Sequence, residues 1–160
     1  MAHGEARPVL DLGAQQTLVL TATTANAPGL PLDIGFSLTA AQCFGHSPPT
    51  PSELEAAIMV VEDELCRVPA LSARQATVVV PLSFMVALGR AIEGSANVLS
   101  LDQVERLFDL LAALSMGRPA ASAGIPADPA FAATLLMLRE SMHHLKFESV
   151  RLEAVADALS

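Results

Sequence analysis

The sequence is short of cations. Nine Lys and Arg stand against 17 Asp and Glu, giving a net charge of -8, and Lys146 is the only lysine. A general nucleic-acid binder needs clustered cations to displace counterions, so that class is excluded. Tight binding of free polyphosphate or of an anionic lipid surface is disfavoured for the same reason. Local backbone anion sites stay open, because amides can hold an anion without side-chain charge. Cysteine is nearly as scarce. Cys43 and Cys66 lie far apart and no CxxC occurs, which reads as two reduced thiols. Charged residues make up only 16% of the chain against 52% apolar, so disorder is excluded as the main state. The longest nearly apolar run, Ala76 to Gly89, is interrupted by Pro81 and Ser83. It falls short of the ~20 residues that cross a bilayer. The start, Met1 to Glu5, lacks the charged and apolar regions of a signal peptide. These absences lead us to expect a cytoplasmic protein with neither nucleic-acid nor membrane partners.

What remains is enough apolar material for one domain of 160 residues, with a short disordered start at 1–7 and a single unit from 8 to 160. The apolar excess also hints at a partner surface, because a small domain cannot hide all of it. Pro8–Gly13, the β-branched Thr17–Thr24 and Pro31–Leu38 read as three short strands at hairpin spacing, with a turn at Asn26-Ala-Pro-Gly29. The prolines at 48, 49 and 51 close a loop from Ala40 to Pro51. Ser52-Glu-Leu-Glu55 reads as a capping box opening a helix striped by Leu54, Ile58, Val61 and Leu65. Ala76–Val80 reads as a strand buried on both faces, ended by Pro81. Helices follow over Phe84–Ile92, after a second capping box at Ser100-Leu-Asp-Gln103, and after Asp128-Pro129; Val150–Leu152 makes a last short strand. The order predicts an α/β domain with a mixed five-stranded sheet, three antiparallel N-terminal strands and flanking helices.

Few residues carry an obvious chemistry. His143 and His144 are neighbours, so on a helix they point about 100° apart and cannot chelate together. The acids at 53, 55, 62, 63 and 64 read as a solvated helix face, since neither liganding histidines nor a wrapping calcium loop accompany them. There is no GxGxxG, Walker-type loop or nucleophile elbow. Asp11-Leu-Gly13 is more specific. A strand–turn–strand with glycine can bring backbone amides against a phosphate.

Several segments, in order, resemble the C-terminal half of the core of the exopolyphosphatase / guanosine pentaphosphate phosphatase (Ppx/GppA) family. Val9-Leu-Asp-Leu-Gly13 sits where that family has its DIGGGST phosphate loop. Leu30 to Leu38 resembles its LPLGAVRL strand, and Pro48 to Glu55 its PPTPEELE helix start. Leu99 to Glu105, Leu111 to Ser115 and Gly124-Ile-Pro126 follow its LTLEELE, LLALS and IPGL segments. Thr134 to Arg139 and Glu148 to Leu152 match its last helix and strand. The resemblance implies an actin-like ATPase fold in its ribonuclease-H-like half. In that family two halves face each other over a phosphate cleft, and the general base and metal site draw on the first half.

The departures fall on the phosphate loops. Ala14, Gln15 and Gln16 replace the glycines and serine after Gly13, and Leu18 replaces the glutamate after Thr17. Pro81-Leu82-Ser83 stands for the second loop's Gly-Gly-Thr, and the SDAGLREG signature is absent around Glu153 to Asp157. Proline has no amide hydrogen to give. With these donors lost, little remains to stabilise phosphoryl-transfer charge. The resemblance therefore implies a degenerate domain with no catalytic residue, metal or cofactor, acting by binding or assembly with itself or with a partner on an apolar face. The alternative is half of a phosphoanhydride hydrolase, active with magnesium and a separate N-terminal half. In that case Asp11, Gly13, Thr17 and Ser83 are the positions left to face a weak phosphate-type ligand.

Overall fold

A computed structural model describes residues 7–21 and 29–156. Its elements are β1 (Val9–Leu12), β2 (Thr17–Leu20), β3 (Leu30–Leu32), α1 (Phe36–Cys43), α2 (Pro51–Leu65), β4 (Gln75–Pro81), α3 (Leu82–Ala91), β5 (Val98–Ser100), α4 (Leu101–Ser115), α5 (Ala120–Ala123), α6 (Pro129–Leu145) and β6 (Ser149–Val155). They form one mixed sheet in the order β3-β2-β1-β4-β6-β5. The first three strands are an antiparallel meander. β1, β4 and β6 are parallel, and β5 closes the far edge antiparallel to β6.

The expected α/β class and N-terminal meander are present, but the sheet has six strands and not five. The additional strand, β5, is three residues long, and its last residue already caps the next helix. Nothing in so short a segment alternates. Its extended form comes from pairing Leu99 with Val150. The expected third strand also stops early, at Leu32, and Phe36–Cys43 is helical where strand and loop were predicted. The cause is tertiary. Gly13 and Ala14, in the β1–β2 turn, offer their carbonyls to the first amides of α1, a cap that the local sequence does not contain. The turn predicted at Asn26–Gly29 and the start at 1–7 lie outside the described residues, apart from Gly29 and Arg7.

Two helix starts follow the predicted chemistry and one shifts. Ser100 accepts from the Gln103 amide while the Gln103 side chain accepts from the Ser100 amide. Asp128 accepts from the Phe131 amide, with Pro129 in the first turn. The box at the start of α2 is made two residues earlier than expected, by Thr50 and Glu53 and not by Ser52 and Glu55. Proline at 51 explains the shift, since it fits the first helical position and lacks the amide that position leaves unpaired.

The helices pack on one face of the sheet. Leu10, Leu12, Val78, Val80, Val150 and Leu152 are buried there. Above them α6 is enclosed on nearly all sides, touching α1, α2 and α4, and twelve of its residues are buried. That is the pattern of an internal helix and not of an amphipathic surface one. The opposite sheet face is different. Thr77 and Val79 on the central strand β4 are only half-buried, which corrects the expectation that Ala76–Val80 is buried on both faces.

Candidate functional site

In open sheets with parallel strands, ligands meet the carboxyl ends of the strands. Here those ends belong to β1, β4 and β6, and they bring the β1–β2 turn beside the start of α3. Strand pairing fixes this: Asp11 lies opposite Val79, and Pro81 opposite Val155.

The turn is closed on itself. Gly13 N–H donates to the Gln16 carbonyl at 3.0 Å. The Gly13 carbonyl accepts from Phe36 at 3.0 Å, and the Ala14 carbonyl from Ser37 at 2.9 Å and Leu38 at 3.0 Å. A Cβ on Gly13 would sit 2.5 Å from the Gln16 carbonyl oxygen, and one on Gly35 would sit 2.3 Å from that of Ala14. Gly13 is therefore required to close the turn on itself, and Gly35 to dock the turn against the start of α1.

The four sequence-predicted site residues separate. Gly13 and Ser83 share the strand-end edge, Gly13 in the turn and Ser83 exposed in the first turn of α3. Asp11 projects from the half-exposed sheet face, beside Leu18 and Val79. Thr17 points inward: it is 1% exposed and its hydroxyl donates to the Ile34 carbonyl at 2.8 Å. Turn and α3 start are thus brought together, whereas the Asp11 carboxyl and the Thr17 hydroxyl are not aimed at one point.

Beside this edge lies a cleft of about 90 Å³, lined by Phe36, Ser83, Phe84, Asp128, Phe131 and Thr134 among others. The Phe84 and Phe131 rings meet at 5.0 Å between centroids. Two of its polar groups serve local structure, since Asp128 caps α6 and the Thr134 hydroxyl donates to the Ala130 carbonyl. Close to it are three exposed apolar residues, Leu82, Val86 and Val155, at 48%, 48% and 52%. Sequence reasoning missed both the aromatic trio and this patch. Leu82 and Val86 are spaced by four, and next to the buried pair Phe84 and Leu88 they make α3 apolar on two sides, which is the signal that was available.

The groups whose titration is displaced serve local structure elsewhere in the chain. Amides of Thr50 and Gly45 hold the Glu53 carboxyl down to about 2, with His46 also bonded to it. Burial pushes the Cys43 thiol up. Burial also pushes the Glu105 carboxyl up, but bonds from His143 and Arg139 outweigh it and the net direction is down. His143 engages Glu105 on α4, so the two adjacent histidines do not converge. No group of three or more His, Cys, Asp or Glu among the described residues could hold a metal ion. Among the same residues, no helix is long and apolar enough to cross a membrane.

No protein-family model and no curated protein matches the chain. Solved structures do. The Ppx/GppA enzyme of Aquifex aeolicus superposes with a TM-score of 0.68 at 16% identity, over 92% of this chain and 52% of that one. An exopolyphosphatase-like protein gives 0.65 at 14% identity, over 92% and 55%. An exopolyphosphatase from Cytophaga hutchinsonii gives 0.64 at 11% identity, over 95% and 54%. The chain has the fold of half of these Ppx/GppA proteins, an actin-like ATPase fold, and spans about half the length of each.

Proposed function

We propose that this is a non-catalytic, degenerate relative of the Ppx/GppA half-domain that acts by binding or assembly. The observation that carries the reading is the state of the β1–β2 turn. The amide of Gly13 is bonded within the turn, and the carbonyls of Gly13 and Ala14 are turned to α1. A phosphate loop works because free amides converge on the anion. Here Ala14, Gln15 and Gln16 fill the turn and Pro81 opens α3 without an amide hydrogen. The assembly half of the reading is supported by the exposed Leu82, Val86 and Val155 beside an apolar cleft, at the edge where the family resemblance implies a facing half.

A second reading rests on one specific observation: the β1–β2 turn and the α3 start, with Ser83, are adjacent at the carboxyl ends of parallel strands. There the chain would be half of an exopolyphosphatase or guanosine pentaphosphate phosphohydrolase, completed by a separate N-terminal half and magnesium. Orthophosphate release from polyphosphate and guanosine pentaphosphate, with magnesium, separates the two. We expect none from the purified chain, alone or mixed with the N-terminal half of a Ppx/GppA enzyme. Release on mixing would establish the second reading.

A further inference from the structure

The sheet face turned away from the helices carries a pattern that fits a copy of itself. Strand register places Leu18, Asp11, Val79 and Glu153 in one row across β2, β1, β4 and β6. The next row is Leu20, Val9, Thr77 and Arg151. The residues on β2, β1 and β4 are half-buried, while Arg151 and Glu153 on β6 are exposed. Each row thus carries a charge on β6, basic in one and acidic in the other, and Val98 on β5 continues the second row past Arg151.

We propose that two copies of the chain pack through this face about a two-fold axis. The axis runs across the strands, between the two rows. It exchanges the rows, so each Arg151 faces the second copy's Glu153 and the interface is isologous. Leu20 then lies over Leu18 and Thr77 over Val79. The second copy's Val9 lies over Asp11, with its Thr77 one strand to the side. A partner carrying a single sign of charge would set a like charge against either Arg151 or Glu153, which is costly. A surface with both signs in register is complementary to itself. Four strands at about 4.8 Å and about 20 Å of strand length give on the order of 400 Å² per copy. That is about half of the ~800 Å² per partner in a standard interface, so the dimer is weak.

This inference rests on the assembly reading but places the second copy on the sheet face and not at the Leu82 and Val86 edge, and it is tested by a different readout. Sedimentation equilibrium should show a reversible monomer–dimer exchange with Kd of about 10–100 µM. Arg151→Glu and Glu153→Arg should each weaken it about tenfold or more, and the double variant should return to within about threefold of the original. Val79→Lys should give a monomer. Arg151 and Glu153 are exposed, so the charge swap leaves the fold intact even if Val79→Lys disturbs it, and circular dichroism checks this. A monomer at several times the upper concentration, a dimer insensitive to these charges, or a double variant without rescue would overturn the proposal. A monomer that also releases no orthophosphate would leave the non-catalytic reading standing while removing this one.

Discussion

Gly35→Ala is the perturbation that bears most directly on the closed turn. Gly35 has an extended backbone that any residue adopts, so the penalty is steric and not conformational. The new methyl would lie 2.3 Å from the Ala14 carbonyl oxygen and 2.7 Å from the Gln15 carbonyl carbon. These are backbone atoms and cannot rotate aside, so turn and helix must separate. The separation strains the bonds from Phe36, Ser37 and Leu38 to the turn carbonyls. At about 1 kcal/mol net per bond, the loss is about 3 kcal/mol. Lower chain entropy in the unfolded state returns about 0.5–1 kcal/mol, leaving a cost of about 2–3 kcal/mol. In a domain of this size that lowers Tm by about 5–10 °C. Gly89→Ala is the control: it lies inside α3 with nothing near its would-be Cβ, and should gain about 0.5–1 kcal/mol. Calorimetry of both variants decides. An unchanged or raised Tm in Gly35→Ala would refute the turn–helix docking described above.

Three further outcomes follow from the buried and titrating groups. Thr17→Val should cost about 1–3 kcal/mol by urea unfolding, because it leaves the Ile34 carbonyl without its donor in the interior; no loss would mean the hydroxyl is not the partner. Glu53 has a folded pKa of about 2 against an ordinary 4.5, so its stabilisation is present above the ordinary value and lost as pH falls towards about 2. Glu53→Gln should flatten that acid limb in a Tm–pH series, and an unchanged limb would refute the assignment. Glu140 has the opposite sign. Burial raises its carboxyl, Arg139 opposes this, and a hydrogen bond with Glu62 adds to the rise. Its contribution is full below the ordinary carboxylate range and disappears as pH climbs through the raised value. Glu140→Gln should therefore lose less Tm than wild type between acid and neutral pH, and parallel curves would refute it.

Elements with a strong local code were legible in the sequence. The Ser100 and Asp128 caps, the α4 stripe and the β-branched run of β4 follow from residue types and spacing. What escaped was set by distant contacts. β5 exists because β6 offers it a partner, and α1 begins where the β1–β2 turn supplies its cap. The aromatic cleft draws Phe36, Phe84 and Phe131 from three helices far apart in the chain. The phosphate-loop reading named Gly13 and Ser83, which the fold brings to one strand-end edge. It missed that Thr17 turns inward, because period-two alternation makes Thr17 and Val19 share the buried face with Leu10 and Leu12.

The most direct test of a vacated phosphate site is a melting series of the purified chain with polyphosphate, pyrophosphate and guanosine tetraphosphate, with and without magnesium. A ligand that binds only the folded state must raise Tm. A turn with its amide bonded inward predicts no shift up to millimolar ligand. A saturable rise that disappears in Ser83→Glu, with the fold of that variant intact, would contradict the account and place a phosphate at the start of α3.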